Sequence, residues 1–186
     1  MVLITAAILI RQARFDSSTL LRSLAYSVAL TVREAQVYGI SVLGVSGGTV
    51  FAPAYGVYFN NANSYILFAD ANGDGQYNTG DTAVETYQVG AGFQIKKVCA
   101  NLSVGGQACW AADGSGTISW LTIVFRRPNP DACTATSANV TVCSAAPPVN
   151  PYSGAYIQVS AINDPTNTHS ISVSLTGQIS VGTAGT

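Results

Sequence analysis

The stretch "LLRSLAYSVALTVREAQVYGI", Leu20–Ile40, decides how this chain of 186 residues is read. Leu20, Leu24, Val28 and Val32 recur every four residues, with Leu21, Ala25 and Ala35 beside them. Apolar residues at that spacing make a stripe along one face of a helix. Proline is absent until Pro53, and Gly39 and Gly44 supply a stop. Upstream, "MVLITAAILI" is almost wholly apolar, with Leu3, Ile4, Ile8 and Leu9 at its centre. A helix could be capped at Asp16 or Ser17. Equally, one helix could run from residue 2 to about 39, apolar all round at its start and one-faced later.

Ten residues fall short of the roughly twenty that span a bilayer. Neither a basic start nor a small-residue cleavage site marks a signal peptide. The stretch reads as the end of a longer hydrophobic segment whose beginning is missing, the alternative being a buried amphipathic start, and residues 1–40 as a hydrophobic N-terminal helical unit.

After Gly48 the period changes. "YGVYFN" and "SYILFA" are rich in aromatic and β-branched residues and flank Asn-Asn-Ala-Asn, which reads as a hairpin. "AVETYQV", "FQIKKVCA", "ISWLTIVFR", "AYIQVSAI" and "HSISVSLTGQISVG" read as further strands. The stretch from Arg126 to Gly154 holds five of the seven prolines and reads as an irregular loop. These elements predict an α+β fold, a long N-terminal helix packed on a C-terminal antiparallel β-sheet head of residues 41–186.

Only 9% of residues are charged, against about 25% in an average globular protein. The net charge of −1 offers no field to recruit nucleic acid. Cys99 and Cys109, like Cys133 and Cys143, lie ten residues apart, without the spacing of zinc or redox motifs. Disulfides Cys99–Cys109 and Cys133–Cys143 are the simplest of three connectivities, and they imply an oxidising compartment.

Between two of the expected strands lies "DANGDGQYNTGD", Asp70–Asp81. Asp70, Asn72 and Asp74 take its first, third and fifth positions, and Gly75 at the sixth permits a sharp turn. Gln76 at the seventh would give its backbone carbonyl, Asn78 at the ninth could act through water, and Asp81 stands at the twelfth. Hard oxygen donors in this order suit Ca2+ over zinc. Without a cation the three acids would repel one another. Glu85 is either a spare ligand or a strand residue. The competing reading is an Asn/Asp/Gly-rich turn that binds nothing.

The order of these features resembles a family. "LLRSLAYSVALTVREAQVYGIS" is similar to the helix of GspH/FimT-type pseudopilins and minor type IV pilins, which carry the pattern L-A-x-x-L-R-x-A-Q-x-x-A. The matching positions are Leu24, Ala25, Val32, Arg33, Ala35 and Gln36. The paired strands with their acidic turn, and the closing "SISVSLTGQISVG", resemble later parts of the same proteins. The basic leader, glycine and fifth-position glutamate of pilin-like precursors are not found before "MVLITAAILI", so truncation inside the hydrophobic helix is expected. The resemblance implies a structural subunit, held in the inner membrane and then packed helix-to-helix with other subunits in a pilus or pseudopilus, its head facing outward at the cell surface. Leu3, Ile4, Ile8, Leu9, Leu20, Leu24, Val28 and Val32 would make those contacts. The alternative is an extracellular calcium-dependent adhesin or carbohydrate-binding module.

Little points to catalysis. His169 has no positioned partner, and no nucleophile elbow or phosphate loop is present. "GVSGG" at residues 44–48 reads as a flexible turn. Lys96–Lys97 and Arg126–Arg127 read as strand-edge charges, and Trp110 and Trp120 as packing residues rather than sugar platforms. Some family members bind DNA through basic tails, but "GQISVGTAGT" has no basic residue, and no nucleic-acid partner is expected.

Overall fold

A computed structural model describes the backbone of residues 2–41, 52–144 and 151–183, with side chains from residue 17 onward. Among the described residues one helix, α1 (Val2–Ile40), precedes ten strands. These are β1 (Ala54–Phe59), β2 (Ser64–Asp70), β3 (Thr82–Gln88), β4 (Phe93–Leu102), β5 (Gln107–Ala111), β6 (Leu121–Arg126), β7 (Ala132–Thr136), β8 (Tyr152–Ala161), β9 (Thr168–Ser174) and β10 (Ile179–Thr183). They form two antiparallel five-stranded sheets, ordered β3-β2-β1-β6-β7 and β10-β9-β8-β4-β5.

This overturns the expected α+β class. The chain is mostly β, with two sheets and one helix rather than a helix packed on a single-sheet head. The reason lies in what strand periodicity encodes. Alternation says that a strand exists and which side it buries, not which strand it pairs with. Here β1 pairs with β6 and β4 with β8, so the chain crosses between sheets three times. β7 falls inside the stretch expected to be an irregular loop, because "ACTAT" is too short and polar to signal a strand.

One core joins the helix to both sheets. Leu21, Ala25, Val28, Val32 and Ala35 pack with Val57, Phe59, Leu67, Ile123 and Phe125 of the first sheet and Ile95, Val98, Ile157, Ile171 and Val173 of the second. The buried row of the helix alternates steps of four and three. A strict step of four turns about 40° beyond each full turn, so Leu20, first of the expected stripe, is 57% exposed. Leu24 is half-buried, and Val28 and Val32 are enclosed by the chain's own core, which removes them as contacts to another subunit. Leu3, Ile4, Ile8 and Leu9 lie on the helix, but their side chains fall outside the described residues.

Gly39 does not end the helix, which continues through Ile40 and closes with Ser41 donating from N and Oγ to the Val37 carbonyl. Its purpose is close approach, since a Cβ there would overlap the Phe125 carbonyl of β6. Gly44 falls outside the described residues. Gly39→Ala should therefore destabilise the chain by about 1–3 kcal/mol through overpacking, although alanine favours helix by about 1 kcal/mol. Urea unfolding checks this, and a stabilised variant would contradict the contact.

Polar clamps fix the helix. The buried Gln36 donates from Nε2 to the carbonyls of Pro130 (2.9 Å) and Gly177 (2.9 Å), and its Oε1 accepts from Arg33 (2.6 Å). Pro130 lies between β6 and β7 and Gly177 between β9 and β10, so one amide ties the helix to both sheets. Glu34 accepts from the hydroxyls of Tyr38 (2.7 Å) and Tyr87 (3.2 Å). Burial, with the carboxylates of Glu85 and Glu34 beside it, pushes the Tyr87 hydroxyl well above the usual phenol range.

Both expected disulfides are present, and all four cysteines are paired. Cys99–Cys109 joins directly opposed residues of β4 and β5. Cys133–Cys143 ties β7 to the segment that follows it. Each closes a loop worth about 3 kcal/mol in the chain-entropy account. Two disulfides fit an oxidising, extracellular or periplasmic compartment. Among the described residues no helix is long and apolar enough to cross a membrane.

Candidate metal site

The first sheet has two faces. Val57 and Phe59 look toward the helix core, whereas Ala54 of β1, Phe68 of β2 and Val124 of β6 form a second cluster on the other side. Among the described residues, the partly buried hydrophobics packed on that cluster are Tyr58, Ile66 and Tyr77, from the first sheet and the loop that follows β2. Residues 71–81, the connection from β2 to β3, lie across it. Tyr77 of the loop packs its ring on Phe68 and Tyr58, with centroids 5.3 Å from each. Thr122 Oγ1 donates to the Gly75 carbonyl (2.7 Å), and Arg126 Nη2 donates to that of Gly73 (2.6 Å).

Asp70, the last residue of β2, organises the loop and is fully buried. Its Oδ1 accepts from the amides of Gly73 (2.7 Å) and Asp74 (3.2 Å), and its Oδ2 from Gly75 (2.9 Å). Gly75 needs to be glycine twice over. Its φ of 79° lies in the left-handed region, and a Cβ would overlap that of Cys143. Asp81 Oδ1 accepts from Ala71 N (3.0 Å) and its Oδ2 from Asn78 N (2.9 Å), closing the loop on itself. Asp74 Oδ1 accepts from the Gln76 amide (2.8 Å), and its Oδ2 from the side-chain amides of Asn72 (3.0 Å) and Asn78 (2.7 Å).

The six expected ligand positions are thus partly assembled. One carboxylate oxygen each of Asp70, Asp74 and Asp81 lie within 4.8 Å of one another, and these are the only group of three such residues among those described. Two oxygens about 2.4 Å from one calcium ion stand at most about 4.8 Å apart, so the triad could hold a metal ion. Asn72 and Asn78 face Asp74 through their amide nitrogens, while their oxygens accept from the amides of Asp74 and Gly80. Glu85 is not part of the cluster. It sits in β3, where its charge acts on Tyr38, Tyr65 and Tyr87 toward the helix.

The electrostatics follow from crowding. Burial pushes the Asp70 carboxyl from 3.8 up to about 6, and the nearby Asp81 and Asp74 charges add to the rise, against the pull of the Gly75 and Gly73 amides. Burial also raises Asp81. The folded, metal-free chain thus binds more protons than the unfolded chain between pH 3.8 and about 6. Its stability should fall as pH rises through that window. A cation that favours the carboxylates should remove this fall, so metal-dependent stabilisation should grow with pH. Melting curves at pH 4.5, 5.5 and 6.5, in chelator and in excess calcium, check the divergence, and parallel curves would contradict it.

Other candidates are absorbed by the fold. Lys96 and Lys97 lie on β4, between β8 and β5, and Arg126 ends β6, between β1 and β7, so neither pair guards a sheet edge as expected. Lys96 Nζ donates to the Pro165 carbonyl (2.9 Å), Lys97 lies over the Tyr156 ring, and Arg127 donates to the Ala52 carbonyl (3.4 Å). Trp110 packs against the main core, and Trp120 against Ala135, Val142 and Cys143. His169 is half-buried on β9, opposite Val159 and Thr183. The loop's role as a cover for the sheet was missed. The signal for it was Tyr77, an aromatic residue at the centre of an otherwise polar turn.

Compared with known proteins, the chain matches no family model, no curated protein and no solved structure.

Proposed function

We propose that the chain is a structural subunit of an extracytoplasmic filament of the type IV pilus or type II secretion pseudopilus kind, with a head stabilised by one bound calcium ion. The observation that carries the assembly reading is the two-sided helix. One face is enclosed in the chain's own core. The opposite face carries Tyr26, Leu30, Val37 and Ile40, which are 46%, 69%, 51% and 40% exposed. Their spacing of four, seven and three sets them in one line on the helix. An exposed apolar line of this kind suits burial against the helices of neighbouring subunits. The inner-membrane stage belongs to the same proposal and rests on the apolar residues 2–10.

The calcium reading rests on the donor set. Three carboxylates within reach of one ion are hard oxygen ligands, and calcium accepts six to eight of them in irregular geometry. The Asn72 side-chain oxygen, the Gln76 carbonyl and a water held by Asn78 would bring the shell to six. The ion would neutralise acids that burial and mutual repulsion disfavour, and so hold the loop on the sheet.

Leu30→Glu with Val37→Glu tests assembly. Both side chains are exposed, so the melting temperature should stay within about 2 °C of the parent. Filaments sheared from cells that carry the double variant should lack the subunit. Incorporation at the parental level would sink the proposal.

A further inference from the structure

We infer that the Cys133–Cys143 disulfide is a redox-sensitive catch that holds the acidic loop closed over the outer face of the first sheet. The loop itself contains no cysteine, yet its turn at Gly75 rests on one, since the space a Gly75 Cβ would need is filled by the Cβ of Cys143, with the Sγ 3.4 Å from that position. Cys143 is held there from two sides. The disulfide ties it to Cys133 of β7, and it is buried in one hydrophobic cluster with Val142, Ala135 and Trp120. Thr122 Oγ1 lies between the two segments, 2.7 Å from the Gly75 carbonyl and 3.5 Å from that of Ala135. Beneath the closed loop Ala54, Phe68 and Val124 are 0%, 0% and 2% exposed. A dithiol reductant would open the catch. Its two thiols become a disulfide as the Cys133–Cys143 bond takes up two electrons and two protons to give two thiols. Residues 137–144 are then tethered at one end fewer, Cys143 can leave Gly75, and the loop lifts from the apolar cluster. Cys99–Cys109 joins β4 and β5 in the other sheet and serves as the internal control. The inference stands on packing alone and holds with or without a bound cation.

The test is hydrogen exchange of the amides of Gly73, Asp74 and Gly75 in chelator, so that its failure is separable from a failure of the calcium reading. Cys133→Ser with Cys143→Ser should speed exchange at these three amides at least tenfold, with β4 and β8 amides unchanged. Cys99→Ser with Cys109→Ser should leave the three amides as they are. The reciprocal measurement uses Gly75→Ala, which forces loop and catch apart. In that variant dithiothreitol should reduce Cys133–Cys143 several times faster than in the parent and Cys99–Cys109 at the parental rate, read by alkylation and peptide mass mapping. Equal protection of the loop in both cysteine variants would overturn the inference. So would wholesale unfolding of the Cys133→Ser, Cys143→Ser chain, which would make the bond a strut of the whole domain, or an unchanged reduction rate in Gly75→Ala.

Discussion

Gln36→Leu should lower the melting temperature by roughly 5–15 °C. The side chain is buried, and its Nε2 satisfies two backbone carbonyls at once, those of Pro130 and Gly177. The buried Gly177 acceptor left without a donor costs about 1–3 kcal/mol and the partly buried Pro130 acceptor about 1 kcal/mol, and each kcal/mol moves the midpoint of a domain of this size by about 2–4 °C. Leucine fills similar volume but donates nothing, so the loss reports the hydrogen bonds rather than a cavity. Arg33→Ala removes only a donor to Oε1 from an exposed position, and its effect should stay below about 1 kcal/mol. Thermal unfolding followed by circular dichroism measures both. A Gln36→Leu midpoint within 1 °C of the parent would mean that the helix is not clamped to the two sheets in this way.

Calcium should raise the midpoint, and Asp70→Ala with Asp74→Ala should abolish that rise. A ligand at a hundred times its Kd stabilises by about 2.7 kcal/mol, or roughly 5–10 °C at this chain length. The double variant should also melt below the parent in chelator, because three loop amides lose Asp70 as their acceptor. These effects separate. Loss of the amide acceptors lowers the curve with or without calcium, whereas loss of the cation site removes the difference between the two curves. A parent whose curve is the same in calcium and chelator would leave the loop as an Asx-type turn held by its own hydrogen bonds.

The helix was legible in the sequence because its buried row repeats near the helical period over many turns. Its orientation was not. A step of four and a step of 3.6 coincide at Val28 and Val32 but diverge by Leu20, and only the packed partners decide between them. The acidic loop was legible because glycine and carboxylates must stand at fixed offsets for a turn to converge oxygen atoms. The three acids do converge, while Glu85, four residues beyond the loop, is carried off by the strand. The two sheets were not legible. Alternation in "YGVYF" and "LTIVF" marks each as a strand, yet nothing local tells β1 to pair with β6 across more than sixty residues. The loop's cover over the sheet was not legible for a related reason. Phe68 and Val124 look like ordinary alternating strand residues, and their burial depends on a loop folding back over them.

Terbium luminescence tests the central claim, that residues 70–81 hold one calcium ion. Tyr77 lies inside the loop, with its ring against Phe68 and Tyr58, and serves as the built-in donor of excitation energy. Excitation of tyrosine should give terbium emission that saturates at one ion per chain, is displaced by calcium, and is absent from the Asp70→Ala, Asp74→Ala chain. Emission that calcium does not displace, or that persists in the double variant, would contradict it.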